Sequence, residues 1–168
     1  MEYTFTLKYQ LAKRAEDADA LVEQLAEAGC DDALIGIGVP GRVALEFIRS
    51  APSAKQAIES AVLQVKSVLA DAQLFEVSPD YVGLTDVADL VGVSRQNMRK
   101  LMLAHYHSFP APVHEGVATI WHLADVLAWL ESRGGYSLPA GVQEAAAAAL
   151  TFNLSKEIKR HRSPPDTP

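Results

Sequence analysis

The sequence predicts an α+β fold, on three observations. Residues 1–78 alternate segments of strand period with segments of helix period. Residues 79–135 carry two short helical segments, an extended proline-containing stretch and a third helix. Residues 136–162 hold a long helical pattern that closes the chain.

In the first segment, YTFTLKYQ (residues 3–10) places Tyr3, Phe5, Leu7 and Tyr9 on one face, the period of a half-buried strand. DADALVEQLAEAG follows with Leu21, Val22, Leu25 and Ala28 at helical spacing; Asp17 and Asp19 favour its start and Gly29 its end. ALIGIG and RVALEFIR read as two strands joined by a Val39-Pro40-Gly41 turn. Ser53 and Gln56 form a capping-box pattern opening a second helix, with Ile58, Ala61, Val62, Val65, Val68 and Leu69 as its buried stripe. LFEV (residues 74–77) is the last strand, and Ser78-Pro79 marks a boundary. Strand, helix, strand, strand, helix, strand is the split-βαβ or ferredoxin-like order. Such a sheet has one face under its helices and one open face, free for a partner protein, a small ligand or a second copy.

Two tempting readings of this segment fail on its residues. GIGVPG (residues 36–41) spells G-x-G-x-x-G, but a dinucleotide site needs a helix to open at the last glycine, and here an alternating strand follows Pro40-Gly41. RNA-recognition sheets display aromatics within a basic surface; Phe5 and Phe47 alternate in step with Leu7, Val43 and Leu45, which assigns them to the core. The lone Cys30, between Gly29 and Asp31-Asp32, supports no intrachain disulfide, and its acidic setting raises the thiol pKa and predicts an inert side chain.

Charge is distributed unevenly. The net charge is −6, with a balance of −5 in residues 1–79, −2 in residues 80–133 and +1 in residues 134–168. An acidic chain is a poor non-specific binder of nucleic acid. Against that background GVSRQNMRK (residues 92–100) stands out: Arg95, Arg99 and Lys100 with no acid among them. Before it, Thr85 reads as an N-cap with Asp86 in the first turn, Val87, Ala88 and Val91 as an apolar face, and Gly92 as the stop. Ser94 is a second N-cap for a helix starting at Arg95, with Val93 and Met98 at the staple positions. Two short helices around Gly-Val-Ser make a helix-turn-helix. Met98, Leu101 and Met102 fit its buried side. Arg95, Gln96 and Arg99 face outward with Asn97 and Lys100 flanking, the side-chain types that hydrogen-bond to guanine and adenine edges. The alternative is a solvated basic face. Pro110 and Pro112 then hold an extended chain, Glu115-Gly116 turns it, and residues 117–121 return as a strand. The closing helix buries Leu123, Val126, Leu127 and Leu130, with Trp129 close by, before Gly134-Gly135.

Leu84-Thr85-Asp86-Val87-Ala88, Gly92-Val93-Ser94, Phe109-Pro110-x-Pro112-Val113, Trp121-His122 and Val126-Leu127-Ala128-Trp129-Leu130, in that order, resemble the winged helix-turn-helix of MerR-like, AlpA-type and excisionase-type DNA-binding proteins over residues 81–135. The resemblance implies a helix from Arg95 in the major groove and a hairpin on the backbone or minor groove. This chain departs from the pattern in its wing, which offers His114 and His122 but no Arg or Lys and has Glu115 at the tip. A phosphate contact there would rest on His114 and respond to pH. The C-terminal coiled coil of MerR-type regulators is also missing, and the additional folded domain is N-terminal.

Pro139 opens the last helix, in which Val142, Ala146, Leu150, Leu154 and Ile158 recur every four residues as an amphipathic stripe that packs on the body or on a second subunit. Lys156, Lys159, Arg160 and Arg162 make its end basic, suited either to DNA phosphate or to the helix's negative pole. Residues 163–168 are expected to be disordered. His105-Tyr106-His107 has no further ligand nearby to complete a metal site, and neither a nucleophile–base–acid set nor a phosphate loop can be assembled.

The expectation is therefore a non-enzymatic, cofactor-free transcriptional regulator, a homodimer on double-stranded DNA. Its regions are a domain over residues 1–78 for a partner, a ligand or dimerisation, a winged helix-turn-helix over 79–135, a helix over 136–162 and the tail. Base contacts fall on Arg95, Gln96, Asn97 and Arg99, backbone contacts on Ser94, Lys100 and His114. The competing expectation is a protein-interaction or antitoxin-like module working through the sheet. No apolar run approaches membrane length, and the first residues lack the pattern of a signal peptide, which predicts a cytoplasmic protein.

Overall fold

The computed structural model describes residues 1–13 and 17–162; the tail over 163–168 lies outside the described residues. The architecture is mixed α+β, with two antiparallel sheets.

Strands β1 (Glu2–Gln10), β2 (Ala33–Gly36), β3 (Arg42–Ser50) and β4 (Gln73–Ser78) form a sheet of order β2-β3-β1-β4. Helix α1 (Ala18–Glu27) joins β1 to β2, and α2 (Ala54–Val68) joins β3 to β4. The register is set by alternation. Phe5 lies opposite Phe47 and Leu7 opposite Leu45, all four buried, with the two phenyl rings stacked 5.1 Å apart. Both aromatics thus belong to the core, as their spacing predicts. The GIGVPG segment is a hairpin connection: Arg42 N donates to Val39 O across the turn, Gly41 takes a φ of +80°, and β3 follows where a nucleotide site would need a helix.

The helix caps follow the sequence closely. The Asp17 carboxylate accepts from the N–H groups of Asp19 and Ala20, and the Ser53 hydroxyl from that of Gln56. Val22 leaves the expected α1 stripe, however, because Leu21 and Leu25 alone point at the sheet; Val22 is exposed.

Beyond β4 the chain forms a two-residue strand, β5 (Tyr81–Val82), which sequence patterning misses. It pairs with β7 (Thr119–His122), which pairs in turn with β6 (His114–Glu115). Helices α3 (Leu84–Val91), α4 (Arg95–Ala104) and α5 (Leu123–Arg133) pack around a second core built on Val87, Met98, Trp121, Val126, Leu127 and Leu130. Two boundaries differ from expectation. α3 starts at Leu84 with Gly83 as its cap, because the Asp86 carboxylate reaches back to accept from Gly83 N at 2.9 Å; Thr85 is an exposed helical residue. The returning hairpin strand starts at Thr119, leaving Val117 fully exposed in the turn.

Helix α6 (Val142–His161) joins the two cores. Ala145 and Ala149 lie in the sheet's core and Ala146 in the helical one. The stripe expected at every fourth residue holds over its first half, where Ala146 is buried and Val142 and Leu150 are half-buried, and is corrected beyond it. Leu154 and Ile158 are exposed, and the buried face runs through Ala145, Ala146, Ala149 and Asn153. At about 100° per residue each four-residue step over-rotates by about 40°, so a row of five drifts about 160° around the helix and cannot stay on one face.

Candidate nucleic-acid interface

The turn between α3 and α4 is determined locally. Gly92 ends α3 in the left-handed region, with φ +75° and ψ +30°, where a Cβ would be strained. Val93 N closes on Ala88 O at 3.0 Å, and Val93 packs partly buried on the helical core. The Ser94 hydroxyl then accepts from Asn97 N at 3.1 Å, starting α4.

Met98 is the one fully buried residue of α4. That anchor leaves Arg95, Gln96, Asn97, Arg99 and Lys100 exposed, and none of the five side chains is engaged in an ion pair among the described residues. Ser94 is exposed too, but its hydroxyl is committed to the cap, so its contribution is to orient the helix.

Between α4 and the β6–β7 hairpin lies an open cleft of about 1190 Å3. Arg95 and Arg99 line it from the helix, and Glu115 to Thr119 from the hairpin, whereas Gln96, Asn97 and Lys100 point elsewhere on the exposed side. The two arginines are one turn apart and Leu103 continues their row, while Tyr106 follows in the turn after α4; both are exposed and line the same cleft. Sequence reasoning passed over these two; the i, i+4 and i+8 spacing from Arg95 is the signal that finds Leu103, whereas Tyr106 is placed by the turn that ends α4.

The hairpin's geometry bears on His114. It is exposed on β6, and its ring folds over Gly116, where an added Cβ would meet His114 Nε2 at 2.7 Å. The ring covers the hairpin turn and does not line the cleft, where Glu115 is the charged residue offered by the hairpin. The remaining histidines have structural neighbours. Arg133 Nη1 lies 2.9 Å from His105 Nε2, and the Arg133 guanidinium sits 5.3 Å over the Trp129 ring. His107 lies against Tyr106, with ring centroids 3.9 Å apart.

The hairpin is held to the body by aromatic and polar contacts. Trp121 Nε1 donates to Pro110 O at 2.9 Å, and Phe109 meets Trp121 and Trp129 edge-on. At the base of β7, His122 Nδ1 lies 2.6 Å from Asp80 Oδ1, and Asp80 is fully buried. Asn153 of α6 donates to the other Asp80 oxygen at 2.8 Å and pairs with both the N–H and the C=O of Val77. The hairpin, β4 and α6 are thereby tied into one polar network, of which Asp80, His122 and Asn153 each carry a part invisible to pairwise motif reading. Cys30 is buried, and burial pushes its thiol upward, with Arg49 opposing and Asp32 adding to the shift. Sequence gave the direction; burial, more than the neighbouring acids, is the leading cause.

Among the described residues no helix is long and apolar enough to cross a membrane. No family model, no curated protein and no solved structure matches the chain, so the meaning of the interface rests on its own geometry.

Proposed function

We propose that this chain is a sequence-specific, dimeric regulator of transcription that reads double-stranded DNA with α4, its residues 79–135 acting as a winged helix-turn-helix and its first four strands as a ferredoxin-like domain. One observation carries the reading: a helix anchored by Met98 and capped by Ser94 leaves Arg95, Gln96, Asn97, Arg99 and Lys100 all exposed, with Arg95 and Arg99 turned toward the hairpin. Arg and Asn or Gln are the side chains that pair bidentately with guanine and adenine in the major groove. Arg95, Gln96, Asn97 and Arg99 read base edges, Lys100 neutralises phosphate, and Ser94 fixes the helix. The acid balance of the chain suppresses non-specific binding, leaving discrimination to these contacts. The reading takes the protein to be cytoplasmic, non-enzymatic and cofactor-free.

Selection from a random duplex pool with the full chain, followed by fluorescence anisotropy at two salt concentrations, tests it. The expected product is a site with two related half-sites about one helical turn apart. Arg95→Ala and Arg99→Ala each cost about 1–3 kcal/mol on that site and relax one base position, whereas Lys100→Ala weakens all duplexes alike and lowers the salt slope by about one. A pool that converges on no sequence, or unchanged base preference in both arginine variants, ends the proposal.

A second reading, a protein-interaction or antitoxin-like module, is favoured by Leu34 and Ile48. They are 74% and 54% exposed on the sheet face opposite α1 and α2, where an isolated domain gains nothing from them. Under that reading the pool yields no consensus and Leu34→Lys abolishes partner binding.

A further inference from the structure

β1 pairs with β3 along its whole length, from Glu2 opposite Ser50 to Gln10 opposite Arg42, but its pairing with β4 stops at Thr6 opposite Ser78. The edge of β1 from Glu2 to Phe5 therefore has no strand beside it on that side. Around this notch the sheet and the helical unit enclose a cleft of about 610 Å3, within the range of small-molecule sites.

Its walls are mostly apolar: Val82, Leu90 of α3, Leu123 of α5 and Val142 of α6. Hydroxyls of Thr4, Thr6, Ser78 and Tyr81 add hydrogen-bonding capacity. Three charged side chains line it. Lys8 Nζ already sits 3.1 Å from Glu76 Oε2, which compensates its charge within the wall, and Asp86 carries the remaining negative charge. The corner around Tyr81 is electronegative: burial raises its phenol first, and the carboxylates of Asp80, Glu157 and Glu76 raise it further.

We propose that this cleft binds a small organic cation, a protonated amine or quaternary ammonium on an apolar body. The ammonium sits among the Tyr81 ring, Glu76 and Asp86, and the body fills the space between Leu90 and Val142. A carboxylate ligand would meet the uncompensated carboxylate of Asp86 and a lysine already paired with Glu76. The placement also gives the ligand a route to the proposed DNA contacts, and this part rests on the DNA-binding reading. Tyr81 and Val82 are the residues that pair with His122 and Trp121 of the hairpin strand, while Asp86 and Leu90 belong to the first helix of the helix-turn-helix.

Isothermal titration calorimetry of the full chain, without DNA, tests the site with two probes of like shape and opposite charge, phenethylamine and 3-phenylpropionate. Because no DNA is present, failure here leaves the DNA reading standing, and failure of DNA selection leaves this site standing. The amine is expected to bind saturably at one site and 3-phenylpropionate not to bind. Thr6→Trp, at a half-buried position in the cleft wall, fills the cleft and abolishes binding. Glu76→Gln frees Lys8, weakens the amine by about tenfold and admits 3-phenylpropionate, a reversal that a merely damaged fold does not produce. No saturable heat with the amine, equal or tighter binding of the acid by the unaltered chain, or amine binding unchanged in both variants overturns the proposal.

Discussion

Asn153 is fully buried, and its amide makes three hydrogen bonds at 2.7–2.8 Å, two to the backbone of Val77 and one to Asp80. Asn153→Leu keeps the volume and removes every partner, leaving a backbone pair and one carboxylate oxygen unsatisfied. The expected loss is about 3 kcal/mol or more, read as a lower urea midpoint at unchanged slope. Arg49 and Asp32 make a different kind of pair, with Arg49 buried and Asp32 half-buried. Two guanidinium hydrogen bonds of 2.7 Å hold the Asp32 carboxyl below the usual carboxylate range. A depressed folded pKa gives stability that is fully present above the unfolded value and is lost as pH falls through the folded one. Asp32→Asn is therefore less stable than the parent at neutral pH, and the gap closes below about pH 4. Thermal melts from pH 7 to pH 2 measure this, and a gap independent of pH would exclude the ion pair as its source.

At the scale of elements, α4 and α6 differ in what places them. α4 is governed by its neighbours in sequence: Gly92 supplies the left-handed stop, Ser94 the cap, Met98 the anchor, and all three were readable as such. α6 has no side-chain cap, and its orientation comes from the alanines that let it lie close to both cores. Two substitutions separate the buried face from the expected stripe. Leu154→Lys, at an exposed position, changes stability by less than about 0.5 kcal/mol. Ala149→Leu, at a position with no exposed surface and outside that stripe, overpacks the sheet's core and costs about 1–3 kcal/mol by denaturant titration. Were the two effects inverted, the every-fourth-residue stripe would be the buried one after all.

At the scale of the whole molecule, the sheet core and the helical core share α6 and the Asp80–His122–Asn153 network. Both cores are thus expected to unfold together. Near-ultraviolet dichroism reports the sheet's tyrosines as well as Trp121 and Trp129, and tryptophan fluorescence reports the helical unit alone. The two melting curves should coincide, and two separated midpoints would show that the junction contributes little coupling. This coupling is also what would carry a ligand's effect from the cleft to the hairpin.

The sequence alone determined the α+β class, the order of the first six elements, the turn at Gly92 and the exposed basic row of α4. Each of these depends on residues within a few positions of one another, where alternation, helical period and capping act directly. Tertiary structure decided the rest: the β5 strand, which two residues cannot announce; the buried face of α6, which depends on what it packs against; the folding of His114 over Gly116; and the cleft at the end of β4. Those features bring together residues as distant as Val77 and Asn153, and the free energy that selects such partners is the burial and pairing of groups that no local pattern contains.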